Sequence, residues 1–159
     1  KDNLDLIDED PHNFTLNSSS FKAGERIAEM GACINCHFYG AEKPKQDALT
    51  WAPNLVLTKE RLRPEWLVEW FINPQDVMPG TKMPAPYIPT EEPQNSIREV
   101  WGSDVAKISR DSTKLYKSLI DWMWGMKGRK DVSTIVKRHL NSQGYGFIIE
   151  EEDDWGDEW

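Results

Sequence analysis

Cys33-Ile34-Asn35-Cys36-His37 carries the plainest chemistry in this sequence. Both cysteines of the chain lie within it, and a histidine follows the second directly. Two thiols at this spacing can each add across one vinyl group of a haem, and the adjacent imidazole then lies beneath the iron and coordinates it. C-x-x-C-H is the attachment pattern of c-type haem. Three other chemistries compete for the same residues. A redox dithiol wants a strand ahead of the motif and a βαβ setting, and nothing upstream is strand-like. A zinc site needs a second pair of ligands, yet the other histidines are His12, near the N-terminus, and His139, far along the chain, and no further Cys exists. A disulfide across so short a loop leaves His37 without a role. One haem c, covalent through Cys33 and Cys36 with His37 on the iron, is therefore the expected cofactor.

A haem bound at His37 needs a sixth ligand or an open face. Pro79-Gly80-Thr81-Lys82-Met83-Pro84 offers a thioether, a soft neutral ligand that favours reduced iron relative to a second imidazole. Gly80 and the prolines would hold the loop open and stiff, so that the sulfur is presented at little entropic cost. Met78, five residues earlier and also before a proline, is the competitor, and loop context favours Met83. Met30, Met123 and Met126 sit at helical spacing and read as core filler.

The elements that must position these groups are mostly helices joined by long loops. Residues 1–18 are polar and acidic without sustained periodicity and read as an extended arm. Ser19 or Ser20 can cap a helix from Phe21 to about Met30, with Gly31 as its stop. Arg63-Pro64-Glu65 opens a second helix with Trp66, Leu67, Trp70 and Phe71 at helical spacing, which Asn73-Pro74 ends. Residues 79–89 hold four prolines and must be an extended loop. Residues 91–110 read as an irregular connection with a short helix around Ile97 to Trp101. Asp111 or Ser112 caps a third helix with Leu115, Leu119, Trp122, Met123 and Met126 on one side, closed by Gly125 and Gly128. A fourth, amphipathic piece from Val132 to Leu140 carries Val132, Ile135, Val136 and Leu140 on one stripe, with Gly144 as its stop.

With these residues in view, the chain resembles the small, His/Met-ligated monohaem cytochromes c of class I type, over roughly residues 20–126. Gly24-Glu25-Arg26-Ile27 before Gly31-Ala32-Cys33 resembles the helix that leads into the family's C-x-x-C-H. Trp51-Ala52-Pro53-Asn54-Leu55 resembles its G-P-x-L stretch, whose proline carbonyl accepts the N–H of the proximal imidazole, a role that would pass to Pro53. Arg61-Leu62-Arg63-Pro64-Glu65-Trp66-Leu67 and the loop through Met83 resemble the helix and axial-methionine loop of bacterial members. The resemblance makes Arg61, Arg63 and Trp66 candidates for contact with a haem propionate. It also implies that the third helix crosses the first. Ala28 stands where the family often has an aromatic, residues 85–110 are long for the corresponding link, and beyond Met126 the resemblance stops. The expected fold is all-α, cytochrome c-like, with an acidic arm over 1–19, the cytochrome domain over 20–126 and an extension over 127–159.

Charge and length bound the function. The chain has 159 residues and a net charge of −8, which disfavours nucleic-acid binding, where affinity comes from neutralised phosphates. The acid is concentrated at the ends. Residues 1–20 carry −4 and residues 147–159 carry −7, whereas 21–125 carry −1 and the basic stretch 126–146 carries +4. No run approaches the roughly 18 to 20 apolar residues of a membrane span. The first residue is Lys, with no secretory signal ahead of the arm, so a processed chain or a piece of something longer is expected. Covalent haem implies maturation outside the cytoplasm, in the periplasm or on the outer face of the membrane. The leading expectation is an electron carrier and not an enzyme, with both axial positions filled. The acidic tail, ending in Trp155 and Trp159, reads either as a docking strap or as a solvated charge run. The arm and tail favour redox protein partners, as a subunit of a membrane-associated respiratory or photosynthetic complex. The alternatives are a free periplasmic shuttle, a haem enzyme or gas sensor with an open axial position, and a haem-free C-x-x-C module.

Overall fold

Helices dominate the computed structural model, which describes residues 18–149. The acidic arm, save Ser18 and Ser19, and the tail from Glu150 onward lie outside the described residues. Among the described residues, β pairing is confined to two isolated bridges, His37 with Ala52 and Tyr39 with Glu42. No helix there is long and apolar enough to cross a membrane.

α1 spans Ser19–Met30. Its cap is Ser18, one residue ahead of the two serines expected, because the Ser18 hydroxyl accepts the Phe21 N–H at 3.1 Å. The helix buries Ala23, Gly24, Ile27 and Ala28 on one stripe. Met30 is 39% exposed and does not act as core filler. At about 100° per residue it lies about 90° from the mean direction of the four buried positions. The chain leaves the helix through Gly31, whose backbone is right-handed, and the left-handed residue is Ala32, with φ 52°.

α7 spans Ser112–Gly125 and is capped by Asp111, which accepts the Lys114 N–H at 3.1 Å. It buries Leu115, Leu119, Trp122 and Met123. Met126 falls just outside the helix, in extended backbone, and is partly buried against the core. α1 and α7 cross with their backbones in contact at Gly24. A Cβ built on that glycine would sit 1.8 Å from the Ser118 carbonyl oxygen. Ser20 of α1 also donates to the buried Asp121 carboxylate of α7.

Around this crossing, α3 (Pro64–Ile72) buries Leu67 and Phe71 against the shared core, with Pro64 at its first position. It follows the single turn α2 (Thr58–Arg61) and precedes another, α4 (Pro74–Val77), so Asn73-Pro74 separates two helices and does not open a loop directly. Residues 91–110 are more regular than expected. α5 (Gln94–Trp101) and α6 (Ser103–Ile108) meet at Gly102, whose φ of 89° suits glycine. Each buries a single pair, Ile97 with Trp101 and Val105 with Ala106. The Arg26 guanidinium ties α1 to α5 through the Val100 carbonyl at 2.7 Å. α8 (Ser133–Ser142) follows; its stripe Val132, Ile135, Val136 and Leu140 is only half-buried, and the fully buried position is Thr134.

Candidate functional site

The end of α1 delivers the chain into a 3-10 turn over Cys33–Asn35. Residues 36–38 then run alongside 52–55. The Ala52 N–H donates to the Cys36 carbonyl at 2.8 Å and the Leu55 N–H to the Phe38 carbonyl at 3.0 Å. This parallel register pairs His37 with Ala52 and brings the next residue, Pro53, beside the imidazole, where His37 Nδ1 lies 2.8 Å from the Pro53 carbonyl oxygen. A carbonyl only accepts, so Nδ1 carries the proton and the lone pair of a neutral ring is on Nε2. Burial pulls the His37 pKa below its ordinary value, opposed by the bond to Pro53.

Cys33 and Cys36 are both free thiols. Burial pushes the Cys33 thiol up to about 11, with its own backbone hydrogen bond opposing, so it is neutral at pH 7. Cys33 packs partly buried against the core cluster, as do Tyr39, Leu55, Trp66, Trp70 and Met83. Tyr39 meets Trp122 of α7 edge-on at 5.3 Å. Its phenol is pushed well above the ordinary range by burial first, then by the charges of Cys33 and Glu42.

The proline-rich loop holds the second half of the site. Thr81 organises it, accepting the Met83 N–H on its hydroxyl at 3.3 Å and the Gln75 amide on its carbonyl. Gly80 turns the chain with φ 88°. Lys82 reaches across to the Leu49 carbonyl at 3.4 Å. The two methionines differ sharply here: Met78 is 55% exposed, whereas Met83 is half-buried against the core. The Trp70 indole N–H points at Met83 Sδ, 2.8 Å away. A thioether sulfur has two lone pairs, so one remains after this contact.

Of the other candidates, Trp66 is half-buried and stacks on Trp70 at 5.1 Å and 17°. It joins the Met83 group through that ring. Arg61 ends α2 and Arg63 precedes α3, and both stand exposed on the surface. The structure thus gathers Cys33, Trp66, Trp70 and Met83 around one core and sets His37 on Pro53, while the two arginines stay outside. His139 is not near a second thiol pair; its ring lies 4.7 Å from that of Trp51. Among the described residues, no three His, Cys, Asp or Glu side chains gather as metal ligands.

Two further side chains shape the site without being marked by any motif. Trp70 is one, readable in the sequence only as a core position one turn after Trp66. Asn54 is the other, 6% exposed, and its amide joins three separate segments of chain. Its sequence signal is slight, an Asn after proline that caps the 3-10 turn Leu55–Leu57 by accepting the Val56 N–H. Comparison with family models, curated proteins and solved structures gives no match for this chain.

Proposed function

We propose that this protein is a monohaem c-type cytochrome with His37 and Met83 as axial ligands, an electron carrier docked to a membrane-associated respiratory or photosynthetic complex on the extracytoplasmic side. The observation that carries this reading is the turn at Cys33–Asn35, with two free thiols beside an imidazole tied by Nδ1 to Pro53. The residues present suit the group. Each thiol can add across one vinyl C=C, its sulfur taking the carbon next to the ring and its proton going to the terminal carbon, without net redox change. His37 offers a lone pair on Nε2, and Met83, packed like Cys33 against the shared core, keeps one sulfur lone pair beyond its contact with Trp70. Met78, exposed to water, lacks that setting.

Bound haem supplies an iron that cycles between ferric and ferrous states. The chain's residues set the balance between those states. The Pro53 carbonyl draws on the His37 Nδ1 proton and makes the ring a stronger donor, which favours the higher charge. The Met83 thioether favours the lower charge, and the Trp70 N–H, drawing on the same sulfur, acts in the same sense. Stiff prolines at 79, 84, 86 and 89 keep the sulfur in place. With His37 and Met83 both holding the iron, no position would be left on it for a substrate, which favours a carrier over an enzyme.

The test is a pyridine haemochrome spectrum with an intact mass on protein from its native membrane. The expected mass exceeds that of the bare chain by one haem, and a bare-chain mass sinks the reading. Reduced protein at neutral pH should not bind carbon monoxide; binding would favour the open-faced sensor or enzyme. Met83→Ala should abolish the thioether-to-iron charge-transfer band and Met78→Ala should keep it, the reverse result reassigning the ligand.

A further inference from the structure

The short stretch that carries the Pro53 carbonyl is gripped on both sides by chain that follows α7. Ahead of Pro53, the Trp51 ring lies between Phe38, at 5.2 Å, and His139 of α8, at 4.7 Å. Behind it, Asn54 donates from Nδ2 to the carbonyls of Arg129 at 2.9 Å and Lys130 at 3.3 Å, as well as to that of Gly40 at 3.2 Å. Its Oδ1 accepts the Gly40 N–H at 3.0 Å. Gly40 and Gly128 meet backbone to backbone. A Cβ on either would lie 3.3 Å from the other's Cα, and their φ values are +61° and +140°. Lys130 is further tied to Glu60 of α2. The Asn54 bonds join residues about seventy-five apart in sequence for no local reason, and with the Trp51–His139 contact they grip the chain on either side of Pro53.

We infer that the segment from Gly128 to His139 is a built-in brace for the His37 ligand, and that Asn54 is the positioning residue through which it acts. The inference rests on the haem reading above and extends it to the C-terminal segment. A buried side-chain amide with its partners in place fixes the segments it joins, because leaving any of those groups unpaired is costly. Fixing residues 52–55 fixes the distance from the Pro53 oxygen to His37 Nδ1. That hydrogen bond sets how strongly the ring donates through Nε2. Releasing the brace therefore weakens the donor and shifts the iron toward the ferrous state.

The experiment compares Asn54→Ala and Gly128→Ala, which attack the brace from opposite sides, with the unaltered full chain. The first readout needs no haem: hydrogen exchange at the Ala52 and Leu55 amides, which bracket Pro53. Both variants should speed that exchange at least tenfold. The second readout is the midpoint potential of the haem-loaded protein. Both variants should shift the ferrous-to-ferric ratio about threefold toward ferrous, which is a rise of about 28 mV at ~59 mV per tenfold for one electron. Folded variants with unchanged exchange overturn the inference. Faster exchange with an unmoved potential also overturns it, leaving Asn54 a structural residue only. Should neither variant fold, exchange in the unaltered protein under mild denaturant decides. The Val136 amide of α8 should then open together with Ala52 and Leu55, and an α8 that opens without them refutes the brace. A chain that takes up no haem refutes the functional reading instead, and the exchange readout still decides the brace.

Discussion

Gly24→Ala tests the geometry on which the whole site hangs. At the α1–α7 crossing, the added methyl carbon would lie 1.8 Å from the Ser118 carbonyl oxygen, 2.4 Å from its carbon and 2.9 Å from the Leu119 nitrogen. A carbon–oxygen contact needs about 3.3 Å, so the helices must part by about 1.5 Å. Every atom struck is backbone, and no rotamer change can relieve it. Overpacking usually costs about 1–3 kcal/mol. A gap of about 0.5–1 Å already forfeits a quarter to a half of each dispersion contact, so the buried pairs flanking the crossing weaken as well. The cost should therefore reach about 3 kcal/mol or more. In a chain of this size that lowers Tm by about 6–12 °C. Thermal unfolding followed by far-ultraviolet circular dichroism measures it. Gly146→Ala is the control, since nothing lies within 4 Å of a Cβ there, and it should leave Tm within about 1–2 °C. If the two variants melt together, the close crossing is not where the structure places it. The consequence reaches the site, because α1 ends just before Cys33 and α7 carries Trp122 against Tyr39.

Three further outcomes are expected. Trp70→Phe keeps the stack on Trp66 but removes the N–H aimed at Met83 Sδ; a hydrogen bond of about 0.5–1.5 kcal/mol corresponds to a fall in midpoint potential of about 20–60 mV, and an unchanged potential by voltammetry denies the contact. The Lys114 N–H at the head of α7 holds the Asp111 carboxyl below its ordinary range. A depressed carboxylate stabilises the fold above its unfolded value of about 3.9 and loses that contribution as pH falls through the folded one. The stability gap between wild type and Asp111→Asn, from urea midpoints, should thus be open at pH 7 and shrink below about pH 4, and a gap constant with pH argues against the charge. If the tail is a docking strap, removing residues 147–159 should release the protein from the proposed membrane complex with the haem spectrum intact, and unaltered co-sedimentation counts against the strap.

What the sequence discloses follows from how local each feature is. Cys33, Cys36 and His37 can be read directly because their chemistry lies within one turn. α1, α3 and α7 are legible because each couples a capping or proline start to a long apolar stripe. α5 and α6 are not, since each buries one apolar pair amid polar residues and Gly102 breaks the period between them. The bond from His37 to the Pro53 carbonyl is an expectation of the family resemblance and cannot be had from spacing alone; it arises from the pairing of 36–38 with 52–55. The Trp70 contact depends on how a proline-rich loop folds back across thirteen residues. Asn54 is harder still, because its partners at Arg129 and Lys130 lie in a segment that the resemblance does not cover.

That segment also changes what the charge means. The chain's −8 is a property of its ends, and residues 21–125 are close to neutral at −1. The +4 of residues 126–146 is not remote from the site. Asn54, Gly40 and Trp51 hold its backbone and α8 against the loop that supports His37. Lys130 there is paired with Glu60, and Asp131 lies within reach of the charges of Arg129 and Lys137. On the proposed haem reading, net positive charge near the iron would favour the state with one more electron and would steer acidic surfaces toward this segment. The same contacts that hold residues 52–55 also hold the backbone of this basic segment, so under that reading the geometry of His37 and the nearby charge would be set by one piece of chain.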